Sequence, residues 1–202
     1  MRKKRKKILK PKNDTYLIIV DGETEIWYFQ MLKRNEKSLR VDIVPEIPQK
    51  KKLIDQYERV IKLSKDYTKV FWIIDLDVVI AERKENELKD HINKLKKCNF
   101  DNVVTILNNP CLEFWFLLHF IQTTKYYPKC EDVEKLLKRK YLKDYKKTRK
   151  YFTKQDNDIY LKLKSRLPIA LKNVKQINRN NLEKIKTGIC EMNLFFEEFE
   201  IK

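Results

Sequence analysis

Residues 16–25 read Tyr-Leu-Ile-Ile-Val-Asp-Gly-Glu-Thr-Glu, and the fold follows from how that stretch is built. Five apolar residues in a row, with no polar alternation, predict a strand covered on both faces. That is the habit of a parallel sheet sandwiched between helices. The Asp21-Gly22 step ends the strand in a turn. The chain then enters Thr24–Arg34, whose apolar Ile26, Trp27, Phe29 and Met31 and polar end predict a helix.

Working outward, the same alternation recurs. Val41–Val44 is a short strand stopped by Pro45, and Leu53–Leu63 has apolar residues at helical spacing. Val70–Ile74 is a second fully apolar strand, running straight into Asp75-Leu76-Asp77. Glu82–Lys97 reads as a charged surface helix turning Leu88, Ile92 and Leu95 inward, and Val103–Leu107 as a fourth strand. Strands alternating with helices imply an α/β fold with a parallel sheet of about four strands and right-handed crossovers. From Pro110 onward the signals are helical. Pro110–Gln122 is apolar nearly all round, with Asn109 as its cap and Pro110 in its first turn. Glu131–Asp144, Phe152–Asn173 and Leu182–Phe199 read as further helices, the second of these three broken or kinked at Pro168. The chain thus divides into a basic tail (1–14), an α/β core (15–125) and a helical extension packed on the core (126–202).

Composition narrows the class. The chain has 202 residues, 42% of them hydrophobic, enough to bury a core without covalent staples. Its net charge of +17 favours a polyanionic partner, with nucleic acid foremost; a Lys-rich background is the plainer explanation. The most apolar stretch, Phe114–Ile121, is far too short to span a bilayer, so no membrane role is expected. The N-terminal MRKKRKKILK has charge but no following apolar run, unlike a secretory signal. Cys98, Cys111, Cys130 and Cys190 make no C-x-x-C pair, and His91 and His119 complete no zinc pattern. These spacings predict no structural zinc site, and a chain this long is expected to be cytoplasmic and to need no disulfide framework.

Two buried strands end in acids. Ligands in open α/β sheets sit beyond the carboxyl ends of the strands. With extended geometry continued, Asp75 and Asp77 would point to one side and crowd each other without a cation. Asp21 and Glu25, four residues apart across a turn, can converge on one point. Hard oxygen donors suit Mg²⁺ or Mn²⁺. Two such ions about 4 Å apart would serve in-line attack on a phosphodiester. Gly22, one of only two glycines, stands where backbone must turn or approach closely. The plainer alternative makes these acids turn and helix-start residues.

Beyond the acids, Glu113 sits in the first turn of an apolar helix. It is either a further ligand facing the cluster or a carboxylate held by helix N–H groups or a lysine. His119 reads as a satisfied core histidine. The run Lys146, Lys147, Arg149, Lys150, interleaved with Tyr145, Tyr151 and Phe152, suits phosphate pairing and base stacking; the plainer alternative is an exposed helix face with its apolar side turned inward.

The motif Asp21-Gly22-x-Thr24-Glu25 followed by Asp75-x-Asp77 resembles a Toprim domain of the kind found in OLD-family nucleases. The tract Asn109-Pro110-Cys111-Leu112-Glu113-Phe114-Trp115-Phe116-Leu117-Leu118-His119-Phe120, with Glu25-x-x-Tyr28-Phe29, resembles the RloB family over residues 15–150. Tyr145-Lys146-Lys147 is similar to that family's basic stretch. The resemblance implies a Mg²⁺-dependent nuclease with Asp21, Glu25, Asp75 and Asp77 as metal ligands. It further implies a lysine at the scissile phosphate, for which Lys146 is the nominee, and a role in phage defence near restriction–modification loci beside an ATPase partner. One position departs: the family usually carries Glu where Asp21 stands. The shorter side chain shifts a carboxylate by about 1.5 Å, which bears on catalysis more than on fold. The rival reading is a non-catalytic nucleic-acid- or protein-binding subunit of the same kind of system. Primase or strand-passage chemistry has no motif here. The residues leave oligomeric state, DNA against RNA, and the trigger of activity open.

Overall fold

In a computed structural model, residues 14–20, 22–45, 52–177 and 186–201 are described. Five strands form one sheet in the order β2-β1-β3-β4-β5: β1 (Tyr16–Ile19), β2 (Val41–Val44), β3 (Lys69–Asp75), β4 (Val103–Asn109) and β5 (Ile189–Cys190). The first four are parallel, as the alternation of strands and helices predicts. Ile18 faces Ile43 on one side and Phe71 on the other, and Asp75 pairs with Asn108. The fifth is antiparallel to β4, through Asn108 opposite Cys190.

The strands are apolar throughout because helices cover both faces. On one face, Leu17, Ile19, Val70, Trp72, Ile74 and Leu107 pack against α2 (Leu53–Leu63), α3 (Leu76–Ala81) and α4 (Glu85–Lys97). On the other, Ile18, Val20, Phe71, Ile73 and Ile106 meet α1 (Glu23–Asn35) and α5 (Leu112–Leu118). The same apolar cluster continues into α6 (Cys130–Leu136), α7 (Arg149–Phe152), α8 (Ile159–Lys164), α9 (Leu167–Val174) and α10 (Asn193–Glu198). Polar ties fix these layers. Trp115 Nε1 donates to the Tyr28 hydroxyl at 2.9 Å, joining α5 to α1. Buried Asp158 caps α8 through the Leu161 amide (2.9 Å) and takes the Arg34 guanidinium at 2.6 Å from the end of α1.

Several elements differ from the sequence reading. Asp75-Leu76-Asp77 does not stay extended: the chain turns into α3 at Leu76, so the two carboxylates do not share a strand face. Asn109 does not cap α5. It ends β4, and its Nδ2 donates to Thr187 O at 2.8 Å, while Cys111 occupies the cap position. Ladder pairing on both sides of β4 outweighs the cap preference there. The helix expected over Phe152–Asn173 is divided into α7, α8 and α9, with Pro168 in the first turn of α9, where a missing N–H costs nothing. Glu131–Asp144 is α6 followed by a π-helical turn at Leu137–Tyr141. Within the segment read as the helix Leu182–Phe199, residues 182–185 lie outside the described residues; of the rest, Ile189–Cys190 is the fifth strand and only Asn193–Glu198 is helical.

Candidate functional site

Acids gather at the carboxyl ends of β1, β3 and β4. Gly22 precedes α1 in extended backbone (φ −96°), so it is not there for a left-handed turn. Its role is close approach: a Cβ at Gly22 would lie 1.9 Å from Glu25 Oε2. The Glu25 carboxylate folds back over that glycine from the first turn of α1 and is 6% exposed.

Asp75 ends β3. Its Oδ2 accepts the Leu112 amide at 3.1 Å, and Asn108 Nδ2 donates to its Oδ1 at a long 3.4 Å. Among the described residues, the Oδ1 of buried Asn108 has no hydrogen-bond partner. Glu25 and Asp75 lie close enough to shift each other's titration. Burial, then the nearby Glu113 carboxylate, pushes Glu25 up to about 7. Burial and the Glu25 charge raise Asp75 well above the usual carboxylate range. Two desolvated carboxylates in contact resist joint ionisation unless a cation lies between them.

Glu113 is 0% exposed. The Tyr145 hydroxyl donates to its Oε1 at 2.8 Å, and the Lys147 ammonium lies 3.1 Å from the same oxygen. A lysine thus meets Glu113, as the plainer of its two sequence readings has it, and the carboxylate also interacts electrostatically with Glu25 and Asp75. Burial alone would pull the Lys147 ammonium down, but Glu113 and Glu134 hold it above its ordinary value. Burial and the Glu113 charge likewise push the Tyr145 phenol up.

Asp77 sits on the rim, in the first turn of α3. Its Oδ1 accepts the Val78 amide at 2.7 Å, and its own amide donates to Pro110 O at 3.0 Å. Partial burial raises its carboxyl. Asp21 lies outside the described residues. Lys146 is exposed, whereas its neighbour Lys147 reaches the acids. Arg149 and Lys150 are exposed at the start of α7. Tyr145 and Phe152 point into the core, leaving Tyr151 as the half-buried aromatic of that run. His119 is buried, its Nδ1 3.0 Å from Trp115 O, and desolvation lowers it to about 4. It is a neutral core histidine, as read.

The sequence reading missed one covalent feature. Cys111, the cap residue of α5, and Cys130, the first residue of α6, form a disulfide with Cα atoms 5.7 Å apart. The expectation of no disulfide framework rested on chain length and compartment, and residues 19 apart give no local motif. Glu113 Oε2 lies 3.0 Å from Cys130 Sγ. Among the described residues, Cys111, Glu113 and Cys130 are the one group of three or more His, Cys, Asp or Glu whose ligand atoms all fall within 4.8 Å of one another. No helix among the described residues is long and apolar enough to cross a membrane.

A family model described as RloB-like protein matches residues 16–199 of the chain. Searches of curated proteins and of solved structures returned no match.

Proposed function

The chain belongs to the RloB-like family, and from that premise and the site's geometry we propose that it is a divalent-metal-dependent phosphodiesterase acting on nucleic acid. The observation that carries the reading is the Glu25–Asp75 pair at the carboxyl ends of β1 and β3, Glu25 buried and Asp75 half-buried. This is the point where the order β2-β1-β3 places one crossover on each side of β1, the usual crevice of open α/β sheets. The donor set fits a hard cation. Among the described residues it offers carboxylate oxygens and the Asn108 Oδ1 beside them, with burial holding the neighbouring Cys190 thiol in its protonated form. Mg²⁺ or Mn²⁺, when bound, would polarise a phosphoryl oxygen and activate water.

The chain's own groups have distinct tasks. Glu25 and Asp75 hold the cation, and Asp77 extends the negative rim. The Leu112 amide fixes Asp75 in place. Lys147, its side chain 43% exposed, is the cation placed to meet a phosphate at the rim. It takes the task that the resemblance alone gave to Lys146. Lys146, Arg149 and Lys150 are free to pair with the nucleic-acid backbone. Family resemblance supports an antiphage setting with a neighbouring ATPase as partner.

Plasmid DNA and total RNA, each incubated with Mg²⁺, Mn²⁺ or chelator, test the reading. Wild type should cleave one of them with metal. Glu25→Gln/Asp75→Asn should still bind it and leave it intact. Tight binding without cleavage under either metal would move the assignment to a binding subunit.

A further inference from the structure

We infer that Cys111, Cys130 and Glu113 form a redox-gated site for a thiophilic divalent ion such as Zn²⁺, available only when the cysteine pair is reduced. The inference goes beyond the phosphodiesterase reading and does not require it. Cys111 and Cys130 are 1% and 5% exposed and Glu113 is fully buried, and their donor atoms fall within 4.8 Å of one another. Two sulfurs and a carboxylate supply three protein ligands, leaving a fourth position for water, a common zinc arrangement. As drawn by the structure, the sulfurs are spent on each other. A disulfide sulfur carries no proton, so Cys130 Sγ cannot donate to Glu113 Oε2 at 3.0 Å. The oxidised pair therefore sets an uncharged sulfur against a carboxylate it cannot satisfy.

Reduction changes that chemistry. A small dithiol attacks one sulfur and forms a mixed disulfide. Its second thiol then closes the dithiol's own ring and releases the second cysteine. Two electrons and two protons pass to the protein, and the dithiol leaves as a cyclic disulfide. The approach lies along Lys147, whose Nζ is 3.8 Å from Cys130 Sγ and whose side chain reaches solvent. On binding the ion, the two thiols release their protons to solvent, and charge then balances: two thiolates and Glu113 carry three negative charges, against a dication and the Lys147 ammonium. Glu113 also neighbours Glu25 and Asp75 electrostatically, so the soft ion would sit against the acidic centre.

The test uses the full chain, reduced by dithiol and desalted without air, beside the oxidised chain. Zn²⁺ retained after gel filtration is counted, and Co²⁺ is titrated to read sulfur-to-cobalt charge-transfer absorption. Reduced wild type should retain one more equivalent of Zn²⁺ than oxidised wild type and show that absorption. Cys111→Ser and Cys130→Ser should each lose both signals with circular dichroism preserved, while Cys98→Ser, at an exposed free thiol, keeps them. Equal Zn²⁺ in reduced and oxidised wild type overturns the inference, as does loss of the absorption in Cys98→Ser. Neither readout involves cleavage, so a failed nuclease assay leaves this result standing on its own.

Discussion

At the scale of single residues, the site is built from close approach and shared burial. Gly22 is legible in the sequence as a place where backbone must come near something; only the fold reveals that the something is Glu25. Gly22→Ala would drive a Cβ into the Glu25 carboxylate, which is the mobile end of a side chain. We expect a melting temperature within a few degrees of wild type but metal affinity lowered by at least tenfold. Isothermal titration with Mn²⁺ checks both halves of that expectation when paired with a thermal melt. Glu25 gives a second handle. Its acid form is favoured in the fold, with a pKa raised from 4.5 to about 7. The native state therefore binds more protons than the unfolded chain across that window, and stability must fall as pH rises through it. Melts of metal-free protein from pH 5 to 8 should show the decline. Mg²⁺ should reverse it at the alkaline end, and Glu25→Gln should make it shallower, leaving the part that Asp75 carries. Lys147 was not singled out from its basic run because spacing cannot tell which of two adjacent lysines turns inward. Tyr145 decides it: its ring packs into the core and its hydroxyl binds Glu113, which sets the direction of the next residues.

At the scale of elements, period and punctuation carried most of the first half. Val41–Val44 and Leu53–Leu63 fall where their apolar spacing places them, and β1 and β3 are covered on both faces as an unbroken apolar run requires. The second half was less legible because its determinants are distant in sequence. Two residues, Ile189–Cys190, join the sheet through partners some eighty positions earlier, and a strand that short has no periodicity to read. The α5–α6 junction shows the same effect, since the Cys111–Cys130 bond joins two helix starts. It closes a loop of 19 residues, for which chain-entropy arguments give about 3 kcal/mol. A dithiol should lower the unfolding free energy of wild type by that amount and leave that of Cys111→Ser/Cys130→Ser unmoved. An equal response in both proteins would mean the bond contributes nothing to the fold.

At the scale of the whole molecule, the chain carries a net charge of +17 although acids meet at the carboxyl end of its sheet. A polyanion approaching that surface releases its own counterions, so affinity should fall steeply with salt. Arg149→Ala/Lys150→Ala removes two exposed cations near the site. The slope of log affinity against log salt should drop by about 1.4 on a single strand or about 1.8 on a duplex. An unchanged slope would remove these residues from the interface. The α/β architecture and the family were both visible in the sequence, because buried parallel strands and the Asn109–Phe120 tract are local signals. The pairing of Glu25 with Asp75 was legible only as a convergence of strand ends, since fifty residues separate them. That pairing is the centre of the account, and a crystal soaked in Mn²⁺ tests it most directly. The account predicts an anomalous-difference peak bonded to Glu25 and Asp75 at the carboxyl ends of β1 and β3. A fully occupied peak elsewhere, or no peak at all, would contradict it.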